Sequence, residues 1–175
     1  MMAQKSNSDE SRYTAGSTER IAADQNKVFV TGLRNVLWIE KALLHFIPKM
    51  MDFASSAEFK DALHAHHRHI KGHLISLESV FKTLRIHPES LKDTGIETVL
   101  TESEQSMKNN RNTAQDAQLA ETLLQITKHK QDAYMALSEQ AEALQMNDSA
   151  RLLLELNAYE KTYADRVNQM HLKTV

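Results

Sequence analysis

Apolar residues recur at helical spacing along most of the chain, and this periodicity predicts five helical segments. They cover about residues 24–51, 56–86, 91–108, 114–144 and 147–171. Pro48 lies near the end of the first segment and Pro88 follows the second, positions at which proline kinks or ends a helix. Four of the segments are long and similar in length, which is typical of a four-helix bundle.

The connection between the second and third long helices is itself long and contains the short segment at about 91–108. Such a connection can cross a bundle from end to end, as in ferritin-like topology, whereas an up-down bundle needs only a short loop there. The other joins are short, so their helices should be antiparallel neighbours. We therefore predict an all-α, ferritin-like four-helix bundle with a crossover segment that contains an extra short helix.

The first 23 residues differ from the rest of the chain, because they are polar, small and mixed in charge. Such a segment buries too little apolar surface to offset the entropy lost on ordering. We predict a flexible polar tail over residues 1–23 and one bundle domain over residues 24–172, in keeping with a length of 175 residues.

The amino-acid composition and the motifs that are missing exclude several kinds of site and partner. The chain has no cysteine, which excludes disulfides, thiolate metal sites and cysteine nucleophiles. Its 21 basic and 23 acidic residues give no strong basic field, so we expect no nucleic-acid partner. No run of about 18 apolar residues and no apolar leader are present, so we expect no membrane partner and a cytoplasmic location. No glycine-rich phosphate loop and no G-x-S-x-G motif are found, and no catalytic residue is predicted.

Two charged residues interrupt the apolar stripes. Glu40 falls in the middle of the apolar face of the first helix, and Lys130 falls where the third long helix should present another apolar residue. Burying either charge alone costs several kcal/mol, so each needs a partner. Glu160, beside the core face of the last helix, offers a second carboxylate. The alternative is that these side chains lie near the bundle ends and extend into solvent.

The second helix carries the histidine-rich stretch HAHHRHIKGH at residues 64–73. His66, His69 and His73 follow i, i+3, i+7 spacing, which places them along one ridge of a helix. Imidazole nitrogens in such a ridge can hold a first-row metal ion. The alternative is that the histidines are half-buried for packing reasons alone.

Several motifs, in their order and spacing, resemble the YciE/YciF-type ferritin-like proteins, which are associated with bacterial stress responses. The resemblance covers about residues 26–171. The matching runs are WIEKALLHFI with Glu40 and Lys41, LHAHHRHIKGH with His66 and Gly72, DAQLAETLLQITKHKQDAY with Asp116, Ala117, Leu119 and Tyr134, AEALQMNDSARLL, and AYEKTYA with Glu160 and Lys161. This resemblance implies a homodimer and a ferritin-like bundle, a fold that often holds two metal ions between its helices.

The departures from the family pattern concern the metal ligands. Positions that the resemblance assigns to family carboxylates hold Arg68, His69, Thr127, Lys130, Ala158, Tyr159 and Ala164, and the family Thr and Gln fall at Ile70 and His73. Glu40 and Glu160 are kept. Most of the implied anionic cage is therefore missing, and Lys130 introduces a cation.

Two interpretations follow. In the first, the protein is a metal-free structural or interaction protein and not an enzyme, and Lys130 replaces the metal charge by pairing with Glu40 and Glu160. In the second, it is a metal-binding oxidase or iron-handling protein whose site has moved, with iron or another transition metal held by ligands from Glu40, His66, His69, His73, His129 and Glu160. A di-iron site normally needs about four carboxylates, which favours the first interpretation.

Overall fold

A computed structural model of the protein describes residues 7–109 and 115–174. In these residues the chain forms five helices and no strand. The helices are α1 (Asn7–Phe53), α2 (Ala57–Thr83), α3 (Thr94–Asn109), α4 (Gln115–Ala143) and α5 (Asn147–Thr174). The predicted all-α fold class is confirmed.

The four long helices form a bundle in which α3 belongs to the crossover. Leu91, just before α3, donates its backbone N–H to the carbonyl of Arg34 on α1 at 3.0 Å. Further along α3, Glu104 pairs with Lys49 near the other end of the bundle, at 3.2 Å. The connection thus runs along α1 from one end of the bundle to the other, as ferritin-like topology requires, and α4 starts beside the α1–α2 turn.

Capping and backbone signals set the helix ends. The Ser56 side chain accepts a hydrogen bond from the Phe59 N–H at 3.1 Å and caps the start of α2. The turns after α2 and α4 pass through Arg85 and Gln145, which have φ values of 56° and 60°. A residue in this left-handed region commonly ends a helix. These two turns fix where α2 and α4 stop.

The start of α1 differs from its predicted position, because the helix begins at Asn7 and not near residue 24. The additional segment contains no proline and one glycine, Gly16, so little in it interrupts a helix. Residues 19–28 of α1 are exposed. Residues 1–6 lie outside the described part of the chain, and the flexibility of residues 1–23 stays a prediction.

A close approach of α1 to α4 depends on Gly32. A Cβ atom at this position would lie 2.9 Å from a methyl group of Leu137, closer than real Cβ contacts allow. The absence of a side chain at Gly32 lets Leu137 pack directly against the backbone of α1. This contact draws α4 against α1 in the half of the bundle away from the α1–α2 turn.

The hydrophobic core is divided into two clusters along the bundle axis. One cluster fills the half next to the α1–α2 turn and includes Ile47, Phe59 and Leu123. The other fills the opposite half and includes Phe29 and Phe81. The side chains that lie between these clusters are polar, and they form the candidate site.

Candidate functional site: a buried polar layer

Each long helix contributes to a layer of polar side chains across the middle of the bundle. We define this polar layer as Glu40 of α1, His73 of α2, Lys130 and Tyr134 of α4, and Glu160 of α5. Glu40, Lys130 and Glu160 are 0% exposed. The layer is therefore inside the molecule, and the alternative of charged side chains that reach solvent does not hold for these three residues.

Lys130 lies at the centre of the layer. Its Nζ atom is 2.9 Å from Oε1 of Glu40 and 2.5 Å from Oε1 of Glu160. Both carboxylates are thus within hydrogen-bond distance of one ammonium group, which has three hydrogens to donate. The structure brings Glu40 and Lys130, which interrupt the apolar stripes, together with Glu160, which borders the core face of the last helix.

Two further side chains donate to Glu40. The Tyr134 hydroxyl lies 2.6 Å from Oε1 of Glu40, and Nδ1 of His73 lies 3.1 Å from the same atom. His73 Nδ1 is also 3.5 Å from Oε1 of Glu160. A carboxylate can only accept hydrogen bonds, so Nδ1 of His73 carries the hydrogen in this arrangement. Glu40 therefore accepts hydrogen bonds from two other helices, α2 through His73 and α4 through Tyr134 and Lys130.

The surroundings within the layer shift the pKa values of its two carboxyl groups in opposite directions. Burial opposes the charge of Glu40, but Lys130 and the hydrogen bonds from His73 and Tyr134 hold its pKa well below the usual range. Burial raises the pKa of Glu160, and the attraction of Lys130 does not cancel burial and the repulsion from Glu40. Burial acts against the Lys130 ammonium as well, but Glu160 and Glu40 raise the pKa of this lysine. Lys130 and Glu40 form the charged pair, and Glu160 is the carboxylate that takes up a proton more readily.

Removing the Tyr134 hydroxyl tests the contribution of one donor. We expect Tyr134→Phe to lower the free energy of unfolding by about 1–3 kcal/mol, because Glu40 loses a hydrogen bond in a site that water does not reach. Urea denaturation followed by circular dichroism would measure the change. Tyr159→Phe is the control, since its ring is only partly buried and its hydroxyl makes a long 3.5 Å contact with His66. Equal stability of Tyr134→Phe and the wild type would contradict this account of Glu40.

The histidine ridge of α2 faces the tyrosines of α5. The buried His66 ring stacks on Tyr163 with 3.9 Å between ring centroids, and the exposed His69 stacks on Tyr159 at 4.3 Å. His73 is the member of the ridge that reaches the polar layer. Burial and the charge of Lys130 lower the pKa of His66 well below its usual value, so this imidazole is neutral at physiological pH.

His66 should make stability depend on pH. Below about pH 6.5 the unfolded chain protonates this histidine and the folded chain does not, so stability falls with falling pH by up to about 1.4 kcal/mol per pH unit. We expect His66→Phe to remove this part of the slope between about pH 7 and pH 5. Urea titrations at several pH values would measure it, with His64→Gln, an exposed residue of the same helix, as the control.

Glu160 has the opposite effect on stability in part of the same pH range. Its pKa is raised in the folded chain, so the folded chain binds the proton more tightly than the unfolded chain and stability rises as pH falls. The difference between the wild type and His66→Phe separates the two groups, since both proteins retain Glu160. If the two slopes coincide, His66 is not held neutral in the folded protein.

The predicted metal ligands are only partly brought together. Oxygen and nitrogen atoms of Glu40, His73 and Glu160 lie within 4.8 Å of one another and could hold one metal ion. His66 and His69 are engaged with tyrosine rings, and His129 lies outside the layer, where its Nε2 is 3.1 Å from Asp93. Neighbouring residues of a helix point in different directions. Because His129 directly precedes the buried Lys130, its side chain points away from the layer.

A two-metal centre does not fit this donor set. Two carboxylates and one imidazole cannot balance two divalent ions in a buried site, for which about four carboxylates are usual. The Lys130 ammonium also occupies the space next to both carboxylates and would repel a cation there.

No described helix is long and apolar enough to cross a membrane.

Comparisons with known proteins agree with this architecture. The family model described as a domain of unknown function, DUF892, matches residues 24–175. The Escherichia coli stress protein YciF shares the fold with a TM-score of 0.81 at 21% identity, over 86% of this chain and 96% of its own. YcfI from Rhodopseudomonas palustris, to which a structural role is ascribed, has a TM-score of 0.79 at 22% identity, over 82% and 92% of the two chains.

No curated protein matches the sequence. The two solved structures are too distant in sequence to carry more than the fold, but the family model spans most of the chain and agrees with the motifs from which the resemblance was predicted. The chain belongs to the DUF892 family and has the fold of YciF.

Proposed function

We propose that the protein is a non-catalytic, stress-associated ferritin-like bundle with a structural or interaction role, in which Lys130 replaces the charge of metal ions. The observation that supports this most directly is the position of the Lys130 ammonium, 2.9 Å from Glu40 and 2.5 Å from Glu160 with no exposure to solvent. An ammonium group is a compact charge with three donors, so it suits two facing carboxylates.

The biological setting in this proposal comes from relatives. YciF is a stress protein and a structural role is ascribed to YcfI, and both share the fold of this chain. A bundle whose centre is filled by its own lysine keeps its shape without depending on a metal supply. We infer that such a protein serves in stress through its folded surface and not through turnover of a substrate.

We also propose that the protein works as a homodimer in the cytoplasm. The family resemblance supports the dimer, and the exposed apolar side chains of Ile21, Val28 and Ile75 provide surface that a second copy could cover. Analytical ultracentrifugation of the full chain should give twice the mass of one chain. A single species of monomer mass would remove the dimer from the proposal.

A second candidate function is the binding of one transition-metal ion. The convergence of donor atoms from Glu40, His73 and Glu160 within 4.8 Å favours it. Carboxylate oxygens and imidazole nitrogens are both ligand types for first-row metal ions. In this case the Lys130 side chain would have to leave the layer, which would expose an ammonium group elsewhere and cost the two contacts that it makes.

Elemental analysis of the full chain, purified without an affinity tag, distinguishes the two functions. We expect far less than one metal ion per chain, both as purified and after incubation with Fe²⁺ or Zn²⁺ followed by gel filtration. Lys130→Glu is the matched positive control, because it adds a carboxylate beside Glu40 and Glu160 and should gain metal. One tightly bound ion per wild-type chain would overturn the proposal in favour of the second candidate, whether or not the control variant folds.

A further inference from the structure

An amine and a carboxyl group face each other in the dry centre of the bundle. Lys130 Nζ lies 2.5 Å from an oxygen of Glu160, and both side chains are fully buried. The two residues are 30 positions apart in the chain and belong to different helices. Groups that are held in the geometry of attack react as if present at about 10⁵–10⁸ M, and exclusion of bulk water removes the competing nucleophile.

We propose that Lys130 and Glu160 condense to form an intramolecular isopeptide bond that joins α4 to α5. The proposal rests on the role of Lys130 in the polar layer that is proposed above: the ammonium group balances the carboxylates until the bond forms, and the neutral amide and a protonated Glu40 then leave the layer uncharged. The bond would form in the folded chain, since only folding brings the two side chains together.

The condensation is balanced without any co-reactant. The Lys130 nitrogen forms a bond to Cδ of Glu160, and one bond from this carbon to a carboxyl oxygen breaks. Of the three hydrogens on the ammonium group, one stays on the amide nitrogen, one leaves with the hydroxyl group of protonated Glu160 as water, and the third ends on the Glu40 carboxylate, which becomes neutral. No atom is oxidised or reduced.

Two neighbours are positioned to assist these proton movements. Glu40 Oε1 is 2.9 Å from Lys130 Nζ, so it can accept a proton and free the lone pair of the amine. Glu40 then passes this proton to the leaving hydroxyl group of Glu160 and accepts the second hydrogen that the nitrogen loses, so it ends as a neutral carboxylic acid. His73 Nδ1, at 3.5 Å from Glu160 Oε1, can donate to the negative charge that develops on the carboxyl group.

The state of the layer before reaction affects the rate in two directions. Burial raises the pKa of Glu160, which favours the carboxylic acid from which a hydroxyl leaves. The same carboxylates raise the pKa of Lys130 and keep the amine protonated, which slows attack. A slow reaction is sufficient, because each chain needs to react only once and the product replaces two buried charges with a neutral amide.

Intact mass spectrometry of the full, untagged chain under denaturing conditions tests the proposal. We expect the wild type to be lighter than its sequence by one water, and we expect fragmentation to join the peptides that contain Lys130 and Glu160. Amine acetylation of the denatured chain should modify Lys128 and leave Lys130 unmodified. Glu160→Gln should lose one ammonia in place of water, since an amide would then supply the leaving group.

Variants of the neighbours distinguish assistance from mere packing. Glu40→Gln keeps both reacting groups but removes the base, and we expect bond formation to slow by about 100-fold or more. Glu155→Gln is the matched control, because it makes the same substitution at an exposed residue of α5 outside the polar layer, so the bond should still form.

The inference is overturned if folded wild-type protein keeps its full mass after prolonged incubation at neutral pH, or if a lost water maps to other residues. A wild type of full mass that also lacks metal would leave the proposed function standing. Stoichiometric metal would overturn that function independently of the mass measurement.

Discussion

Replacing Lys130 by methionine is expected to lower the free energy of unfolding by about 3–5 kcal/mol. The substitution keeps a long side chain of similar volume but removes the cation from a layer that holds Glu40 and Glu160 at 0% exposure. Two carboxylates would then face each other with no counter-charge and would have to take up protons or draw in water. Chemical denaturation at neutral pH would measure the loss.

If the loss of stability comes from unbalanced charge, neutralising the carboxylates as well should reverse it. Adding Glu40→Gln and Glu160→Gln to Lys130→Met should restore most of the lost stability, because replacing all members of a buried charged group is often nearly neutral. Adding only Glu40→Gln should restore less, since Glu160 would still lack a partner. Lys128→Met, on the exposed side of α4, should change stability by no more than about 0.5 kcal/mol.

A neutral effect of Lys130→Met would contradict the central role of this residue. Destabilisation that the combined variant does not relieve would show instead that the shape of the lysine side chain, and not its charge, is what the layer requires. The difference between the single and combined variants therefore isolates electrostatics from packing.

Sequence periodicity predicted the helices and the crossover because each is encoded locally. The boundaries of α2, α4 and α5 depend on nearby residues such as Ser56, and their predicted positions differ from the observed ones by a few residues. The start of α1 differs by more, because the polar composition before residue 24 predicts no helix, whereas α1 begins at Asn7. Helix formation depends on the scarcity of glycine and proline, and polarity alone does not prevent it.

The charged centre was predictable from three residues, because Glu40 and Lys130 lie where their helices should be apolar and Glu160 borders the core face of its helix. The role of Tyr134 was not, because a tyrosine on an apolar stripe fits an ordinary core. The direction of its hydroxyl depends on how α4 packs against α1, which periodicity does not specify. The only local signal was the spacing of Tyr134 four residues after Lys130, which places both side chains on one face.

Asp116 is a second charged residue whose removal should have a large effect, at the place where the crossover ends. Its two carboxylate oxygens accept hydrogen bonds from the backbone N–H groups of Ser55 and Ser56 at 2.7 and 2.8 Å. These groups lie in the turn between α1 and α2, where they have no carbonyl partner within a helix. One side chain therefore fastens the beginning of α4 to the beginning of α2.

We expect Asp116→Ala to lower the free energy of unfolding by about 2–4 kcal/mol, because each hydrogen bond to a charged group contributes about 1.5–3 kcal/mol and the two share one carboxylate. Asp116→Asn should cost less, since it keeps one acceptor. Asp132→Ala is the matched control, because its exposed carboxylate pairs only with Lys128, and such pairs contribute little. Hydrogen exchange should show faster opening of the α1–α2 turn in Asp116→Ala. Unchanged exchange there would mean that the turn holds its conformation without α4, and that the crossover is anchored by packing alone.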